Sequence, residues 1–323
     1  MSGSDNGVSG AYPTGPGDWL RCQLHCHTTN SDGDASPAEL LDAYTALGFD
    51  AVAITDHWHV TRLDSERLIS IPGSELSSRS PSPTGEAEAL AIGVDRLPDA
   101  REPFDSIEAM ARWIAGHGGY PILCHPYWSG MEPSEVAGAG SLGAVEVWNG
   151  GSQLLQGNGL SSVHWDAASH GGHLMPGIAT DDCHTPPGDC GLAWTWVLAA
   201  ERTAAAVVAG LRAGRCYGSN GPRIEAVRVD RDGVLVRCSS ARTVRLRSGP
   251  WDGCAAHADG RGDWRGAALR LDEGGLLVEA RLQYPEFWRW ARVEVEDDRG
   301  GVAWGPPFRL PGDEPGLPPG YGA

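Results

Sequence analysis

Short apolar runs alternate with amphipathic segments along residues 19–222. The run 50–55 is apolar between its polar ends, which is typical of a strand buried in a parallel sheet. Residues 36–47 begin with Ser-Pro-Ala-Glu and then place leucine and tyrosine side chains at helical spacing, which predicts a helix closed by Gly48. A second helix is predicted over 106–116 on the same grounds. This order of strands and helices predicts an α/β domain.

Residues 223–312 follow a different pattern, in which apolar and polar residues alternate. Glycine and aspartate turns separate the alternating segments, which cover 224–229, 234–237, 243–246, 276–280 and 291–295. Such spacing predicts a small antiparallel β-sandwich domain. Its tryptophans are expected either in a core or on a surface that binds carbohydrate or a partner. Residues 1–18 are expected to form a flexible leader, and residues 313–323 a tail.

Composition excludes several functions. The formal net charge is −17 over 323 residues, so we expect neither nucleic acid nor an anionic membrane as a partner, because both need a basic surface. The chain contains no lysine, which excludes Schiff-base chemistry and a Walker lysine. The eight cysteines include no Cys-x-x-Cys pair, and no signal segment or membrane-spanning run is apparent. We therefore expect a reduced, cytoplasmic protein.

Potential metal ligands are concentrated between residues 21 and 59. If residues 23–27 are a strand, alternation places His25 and His27 on one face. Asp32 follows on a loop, and the strand 50–55 ends on Asp56 and His57. In α/β folds, catalytic and binding side chains lie at the carboxyl ends of the parallel strands. These side chains are therefore expected to share one site.

Later strand-like runs also end on potential ligands. They are Glu75, His125, Glu146, Asp181, Asp182 and His184. Mixed nitrogen and oxygen donors suit zinc, manganese or iron. A metal cluster explains this set better than a series of unrelated buried histidines.

The sequence at this point resembles the PHP family, named for its polymerase-associated and histidinol phosphatase members. The resemblance rests on an ordered set of segments, LHCHT (24–28), SDG (31–33), ITDH (54–57), GSE (73–75), CHP (124–126) and DCH (182–184). It covers roughly residues 19–222. The resemblance implies a distorted seven-stranded (β/α) TIM-like barrel that holds two or three divalent metal ions, Mn, Zn or Fe, at the carboxyl ends of its strands.

The resemblance also implies which residues bind each metal ion. The ligands of one ion would be His25, His27, Glu75 and Asp182. Glu75 and His125 would hold a second ion, and Asp32, His57 and His184 a third. Many relatives have a histidine about where Glu88 stands, so we expect Glu88 either as an oxygen ligand of the second ion or as a surface residue.

Two features resemble the carbaryl-hydrolase-like branch of the family. A Ser-Asn-Gly-Pro turn at 219–222 precedes the β domain, and Ala-Trp-Gly-Pro-Pro follows at 303–307. This resemblance favours a carbamate, carboxylic ester or amide as the substrate.

Other residues are candidates for catalysis or substrate binding. Asp182, Asp56 and His59 are the catalytic candidates, with His59 either a proton donor or a solvated loop residue. Arg79 lies on a serine- and proline-rich loop and is expected either to contact an anionic substrate or to be solvated. Asn149 is expected to line the site, as is Glu146.

The leading functional prediction is a metal-dependent phosphoesterase with a small, anionic substrate. A hydroxide that bridges two ions would attack the ester, and three cations would match a phosphoryl group with three equatorial oxygens. The carbamate, ester or amide hydrolase is the alternative. A non-catalytic metal-binding module and iron-dependent redox chemistry are two further alternatives.

Overall fold

The structure, a computed structural model, describes residues 9–10, 15–230, 232–261 and 265–311. The chain divides into two compact units. The larger unit is formed by residues 15–220, and the smaller unit by residues 221–311 together with the short strand β1 (Ser9–Gly10). The rest of the predicted leader up to residue 14, and the predicted tail 313–323, lie outside the described residues.

The larger unit contains strands and helices in alternation. Its strands are β2 (Asp18–Gln23), β3 (Ala51–Ala53), β4 (Ile69–Ile71), β5 (Glu75–Arg79), β6 (Glu86–Ile92), β7 (Tyr120–Leu123), β8 (Ala144–Asn149), β9 (Gly177–Thr180), β10 (Trp194–Ala199) and β11 (Cys216–Ser219). Its helices are α1 (Pro37–Ala46), α2 (Ile107–Gly116), α3 (Pro133–Gly138), α4 (Gly150–Gln156), α5 (Ser162–His170) and α6 (Ala204–Arg212).

The predicted helices α1 and α2 are confirmed, and a serine caps each of them. Ser36 and Glu39 form a capping box at the start of α1, and Pro37 occupies the first turn, where a missing N–H costs nothing. Ser106 accepts a hydrogen bond from the N–H of Ala109 at the start of α2. Within the described part of the chain, no helix is both long and apolar enough to cross a bilayer.

The strands of the larger unit form two sheets. The order is β11-β10-β2-β3-β4 in one sheet and β5-β6-β7-β8-β9 in the other. Neighbours run parallel from β2 to β4 and from β7 to β9, whereas β6 and β10 run antiparallel to their neighbours. The larger unit is therefore a mixed α/β structure. The pairing of its described strands does not close into a barrel, so the TIM-like barrel stays a prediction.

One hydrophobic core joins the two sheets of the larger unit. Leu20 and Ile71 from one sheet belong to the same cluster of buried side chains as Leu90, Ile122 and Ile178 from the other. Full burial of such a side chain contributes about 1.5–3 kcal/mol. This core fixes the strands whose ends carry the predicted ligands.

The smaller unit is built from antiparallel strands. After β1 they are β12 (Ile224–Asp230), β13 (Gly233–Ala241), β14 (Thr243–Arg247), β15 (Gly253–His257), β16 (Gly266–Leu271), β17 (Leu277–Leu282), β18 (Trp290–Glu296), β19 (Val302–Trp304) and β20 (Phe308–Arg309). One sheet has the order β1-β12-β13-β17-β16, and β15, β14, β18 and β19 pair in a second run, with β20 also on β18. The alternating pattern predicted β12, β13, β14, β17 and β18, whereas β15, β16, β19 and β20 were not predicted. The sandwich arrangement stays a prediction.

The described tryptophans of the smaller unit occupy both of the locations expected from the sequence, the core and the surface. Trp288, Trp290 and Trp304 are buried, whereas Trp251 is 59% exposed. Core packing therefore accounts for most of them.

Candidate metal centre

The predicted ligands follow the strands that the core holds in place. His25 and His27 come after β2, Asp56 and His57 after β3, and His125 after β7. Isolated parallel bridges join Cys26 to Cys183 and His57 to Glu75, and thus link segments that follow strands of both sheets. The site lies where these segments meet.

Alternation continues beyond the end of β2 at Gln23. The Nε2 atoms of His25 and His27 lie 3.1 Å apart on one side of the chain. Leu24, which precedes His25, and Cys26, which lies between the two histidines, are completely buried in hydrophobic clusters. The pair of imidazoles on one face is therefore present, although the strand itself ends earlier than predicted.

Four electron-pair donors, which are potential metal ligands, converge at the centre of the cluster. His25 Nδ1 lies 2.7 Å from a Glu146 oxygen, so it carries the proton and leaves Nε2 with a lone pair. That Nε2 lies 3.1 Å from Glu75 Oε2 and 3.1 Å from Asp182 Oδ1. His27 Nε2 lies 3.2 Å and 3.3 Å from the same two oxygens. Only a proton or a metal cation between these atoms removes their mutual repulsion.

The second oxygen of Glu75 extends the cluster toward His125. Glu75 Oε1 lies 3.5 Å from His125 Nε2, and this buried oxygen has no hydrogen-bond partner among the described residues. Glu88 stands on the other side, with Oε2 at 3.7 Å from His125 Nε2 and Oε1 at 3.8 Å from His57 Nδ1. The structure therefore places Glu88 inside the cluster.

A third group of donors lies at the rim. Asp32 Oδ2 is 3.6 Å from His57 Nε2 and 3.5 Å from His184 Nε2, and Asp32 Oδ1 is 3.4 Å from His27 Nδ1. Their donor atoms lie close enough together to bind one ion. All nine residues predicted as ligands are thus in one continuous cluster, and the orphaned acceptors fit divalent metal ions.

The charges of the cluster act strongly on one another. Burial disfavours the charged form of His27 and His125, yet the nearby carboxylates, chiefly Asp182 and Glu75, outweigh burial and raise the pKa of each imidazole to about 9. Burial and the charge of Glu75 raise the pKa of Glu88 to about 8. The side chains alone therefore favour additional positive charge in the cluster.

A buried carboxylate outside the cluster orients its ligands. Glu146 accepts hydrogen bonds from the His125 N–H at 2.9 Å, from Asn149 Nδ2 at 3.0 Å and from the Thr180 hydroxyl at 2.6 Å, in addition to its contact with His25. All four of its contacts lie within 3.0 Å, so its charge is well compensated. Glu146 therefore fixes the tautomer and direction of His25.

Asn149 links this carboxylate to the metal cluster. Its amide nitrogen also donates to Asp182 Oδ2 at 3.1 Å, and its amide oxygen accepts from the N–H of Ser152 at the start of α4. Asn149 is buried and does not line the cavity described below. The structure thus shows a contact with a ligand at this position rather than a direct contact with the cavity.

Two of the predicted ligands adopt an unusual backbone conformation. His125 and Asp182 have φ angles of +24° and +54°, in a region that residues other than glycine seldom occupy. Such strain persists only where surrounding contacts enforce it, and it is concentrated at functional sites. The Asp182 N–H, for example, donates to the carbonyl of His25 at 3.0 Å.

Asp56 lies apart from the donor atoms of the cluster. Its carboxylate is buried and accepts hydrogen bonds from Thr28, Ser31 and Thr61. These bonds tie together the loops that carry His27, Asp32 and His57.

His59 and Arg79 also lie away from the cavity. His59 is partly exposed, and its N–H donates to Ser74 Oγ. Arg79 is 76% exposed, with its guanidinium 3.8 Å from Asp105. Neither lines the cavity that contains the cluster.

Asp181 also differs in surroundings from its neighbour Asp182. It accepts hydrogen bonds from the N–H groups of Gly191 and Ala193 and from the Tyr44 hydroxyl. Burial raises its pKa to about 6. Its contacts hold the loop after Asp182 against α1.

The cluster forms one end of a cavity of about 620 Å³, a volume suited to a small molecule. Its lining residues are Asp32, His57, Glu75, Glu88, His125, Trp128, Gly151, Ser152, Leu154, Leu155, Gln156, Asp182, His184, Thr185, Gly188 and Asp189. Trp128, Leu154 and Leu155 were not predicted from the sequence as residues of this cavity. The sequence contains one indication of their place near the site. Trp128 lies shortly after His125, and the two leucines lie shortly after the strand that carries Glu146.

Comparison with known proteins shows a family likeness for part of this site. The model of the PHP domain matches residues 23–93, a segment that contains six of the cluster residues, His25, His27, Asp32, His57, Glu75 and Glu88. Residues 23–93 are therefore similar to the PHP domain, the family that the sequence motifs resemble. No curated protein matches the chain.

Solved structures extend the likeness to the rest of the chain. A two-domain protein from Bacteroides vulgatus that contains a predicted PHP-like metal-dependent phosphoesterase is 18% identical, and the alignment covers 96% of this chain and 99% of that one with a TM-score of 0.50. An amidohydrolase from Chromobacterium violaceum, solved with sulfate and without metal, is 16% identical over 52% of this chain and 89% of that one, with a TM-score of 0.40. The first likeness shows a shared fold, and the second is too distant to support an argument.

Proposed function

We propose that the protein is a metal-dependent hydrolase that cleaves a phosphate ester. The observation that carries the proposal is the convergence of His25, His27, Glu75 and Asp182 on one point, where nitrogen and oxygen atoms that can each bind a metal ion lie 3.1–3.3 Å apart. The PHP domain match over residues 23–93 supports the same class of protein.

Each group of donors would hold a separate divalent ion. The central four residues would bind one, and Glu75 with His125 and Glu88 a second. Asp32, His57 and His184 would bind a third, close to His27. When bound, such ions lower the pKa of a water molecule from about 15.7 toward roughly 7 and neutralise charge on a phosphoryl oxygen.

The protein's own residues keep this cluster in shape. Glu146 holds the proton of His25 on Nδ1, so that Nε2 is free to bind a cation. Asn149 holds one oxygen of Asp182 and leaves Oδ1 directed at the histidines. His125 Nδ1 contacts the Ser129 hydroxyl at 3.2 Å, which directs its Nε2 at Glu75 and Glu88. These contacts remove the need for reorganisation when substrate binds.

Hydrolysis of a carbamate, carboxylic ester or amide is the second candidate. Among the described residues that line the cavity there is no arginine to bind a phosphate, and the arginine predicted for this role, Arg79, is solvent-exposed. The resemblance of 219–222 and 303–307 to the carbaryl-hydrolase-like branch also favours this candidate. We further propose that the two sheets of the larger unit are parts of the distorted PHP barrel, and that the smaller unit is a β-sandwich.

Metal content and substrate turnover test the proposal together. We expect elemental analysis of freshly purified protein to give two to three equivalents of manganese, iron or zinc, and the protein to turn over p-nitrophenyl phosphate or its bis-ester with inhibition by vanadate. Glu75→Gln should reduce kcat by about 100-fold or more, because it removes a ligand shared by two ions. Glu86→Gln, an exposed change on β6, is the matched control and should have little effect.

Other outcomes point to the other candidates. Turnover of an aryl carbamate without phosphate-ester turnover or vanadate inhibition would replace the leading proposal by the second candidate. Metal binding with no turnover of any probe would indicate a binding module.

A further inference from the structure

Helix α4 has its apolar residues on the outside. The helix buries Gly150, Gly151 and Ser152, while Leu154 is 55% exposed and Leu155 is 77% exposed. A surface helix normally buries its leucines and exposes its small or polar residues. The two leucines therefore do not serve the core of the larger unit.

The buried end of α4 is attached to the metal cluster. The Gly151 N–H donates to the Asp181 carbonyl at 2.7 Å, and a Cβ at Gly151 would lie 3.0 Å from the carbonyl oxygen of Asp182. The cap residue Asn149 donates to the Asp182 carboxylate. Close approach and these hydrogen bonds hold the leucines at a fixed position relative to Asp182.

An aromatic side chain complements the leucines. Trp128 is 40% exposed, and its ring meets the His125 imidazole edge to face with the ring centres 4.9 Å apart. Trp128, Leu154 and Leu155 all line the cavity that contains the metal cluster. We call these three residues the apolar wall.

The charged side chains among the rest of the cavity lining are carboxylates, beside three histidines of the cluster. Of the described residues that line it, Asp32, Glu75, Glu88, Asp182 and Asp189 carry carboxylates, and none is an arginine. The chain has no lysine. Bound metal ions would compensate the carboxylates of the cluster, but a charged or strongly polar substrate group beyond the ions would find no cationic partner. An apolar group in that position would instead remove exposed leucine and tryptophan surface from water.

We propose that the apolar wall is a specificity determinant that binds an apolar group, about the size of one or two aromatic rings, next to the bond that is cleaved. The inference rests on the proposed hydrolase function and adds the class of substrate: an ester whose leaving or acyl group is apolar. It holds for a phosphate ester and for a carbamate or carboxylic ester alike.

Paired substrates test the wall. The metal-loaded full chain is assayed with 1-naphthyl phosphate and glycerol 2-phosphate, and with 1-naphthyl acetate and methyl acetate. In the variant Leu154→Ala/Leu155→Ala we expect KM for the naphthyl ester to rise by about 3- to 10-fold, with kcat nearly unchanged, because the lost contact stabilises the bound substrate and transition state equally. The KM for the small ester of the same pair should change by less than about twofold.

Two further variants separate shape, polarity and general surface effects. Leu155→Met should keep the preference for the naphthyl ester over the small ester, whereas Leu155→Asn should lose most of the part of that preference that Leu155 provides. Leu160→Ala is the matched control, because Leu160 is 43% exposed and does not line the cavity. Trp128 is left unchanged in this test, since its ring touches a proposed metal ligand.

The outcomes distinguish the wall from the proposed function. Absence of turnover with every ester in the wild-type protein would overturn the hydrolase proposal and the inference that rests on it. Normal turnover in which the double variant affects both members of a pair equally would overturn the wall alone. The wall would also be overturned if the wild type were a dimer that the double variant dissociates without any change in substrate preference, because the leucines would then belong to an interface.

Discussion

His25 Nδ1 lies 2.7 Å from Glu146 Oε1, and both side chains are completely buried. The contact spans 121 residues of sequence and leaves only His25 Nε2 available to the metal cluster. A histidine whose second nitrogen is held by a carboxylate is a stronger and better-directed metal ligand.

Glu146→Gln should therefore weaken metal binding without removing a ligand. We expect the affinity for the central ion to fall by about 10- to 100-fold, as for other carboxylates that support a histidine ligand. Titration of the metal-free protein with Mn²⁺ or Zn²⁺ in a calorimeter measures the change. Glu102→Gln, on an exposed loop, should leave the affinity unaltered, and equal affinities in wild type and Glu146→Gln would contradict the assigned role.

Removal of metal should destabilise the larger unit. Without a cation, the acceptors of His25, His27, Glu75 and Asp182 are left facing one another. An ion at 100 times its Kd stabilises the folded state by about 2.7 kcal/mol. We expect a chelator to lower the melting temperature by several degrees and added Mn²⁺ to restore it. A His25→Ala/His27→Ala variant should show a much smaller response to both additions.

Glu88 offers a test of the second ion. Glu88→Ala should reduce the metal content by about one equivalent, because it removes the acid that lies between His57 and His125. Glu88→His supplies a nitrogen donor at the same place and should retain the ion. Unchanged metal content in Glu88→Ala would mean that Glu88 is not a ligand.

Gly151→Ala tests the attachment of α4 to the ligand loop. Its Cβ would lie 3.0 Å from the carbonyl oxygen of Asp182 and 3.1 Å from that of Asp181, so the helix or the loop has to move. We expect a loss of about 1–3 kcal/mol in the free energy of unfolding, measured with urea, together with lower turnover. Gly138→Ala in α3 meets no atom within 4 Å and should be neutral or stabilising.

His164 should make stability depend on pH. Burial lowers its pKa from the ordinary 6.5; Nε2 contacts the Met131 carbonyl, and Nδ1 is buried without a hydrogen-bond partner among the described residues. The unfolded chain therefore binds a proton more readily, so the contribution of neutral His164 is complete above pH 6.5 and is lost as the pH falls below it. His164→Gln should give a shallower decline in the free energy of unfolding between pH 6.5 and the lower folded-state pKa. Parallel curves for the two proteins would contradict this.

The cluster could be predicted because its members follow strands. His25 and His27 follow β2, and Asp56 and His57 follow the apolar run that contains β3, and neighbouring parallel strands bring such positions to one edge. The harder case was Glu88, for which the sequence favoured neither a ligand nor a surface position. The antiparallel pairing of β5 with β6 brings Glu88 close to His57 and His125, and these distances place it in the cluster. The sequence alone does not reveal this pairing.

Other roles could not be predicted because they depend on contacts distant in sequence. Asp56 directly precedes a ligand, but three hydroxyl side chains of other loop positions use its oxygens. Leu154 and Leu155 resemble ordinary helix residues in sequence. Their exposure follows from the glycines of α4, which only the close approach to Asp181 and Asp182 explains.

Asp181 and Asp182 are chemically alike and adjacent, yet one side chain is fastened to Tyr44 and the backbone of the following loop, and the other lies among the histidines. Only their positions along the segment that follows β9 distinguish them. Insertion of a single residue between Gly177 and Thr180 would carry Asp181 into the position of Asp182, whereas deletion of one would place Cys183 there. Insertions and deletions in this short stretch should therefore be far more damaging than substitutions, because the two side chains make different contacts.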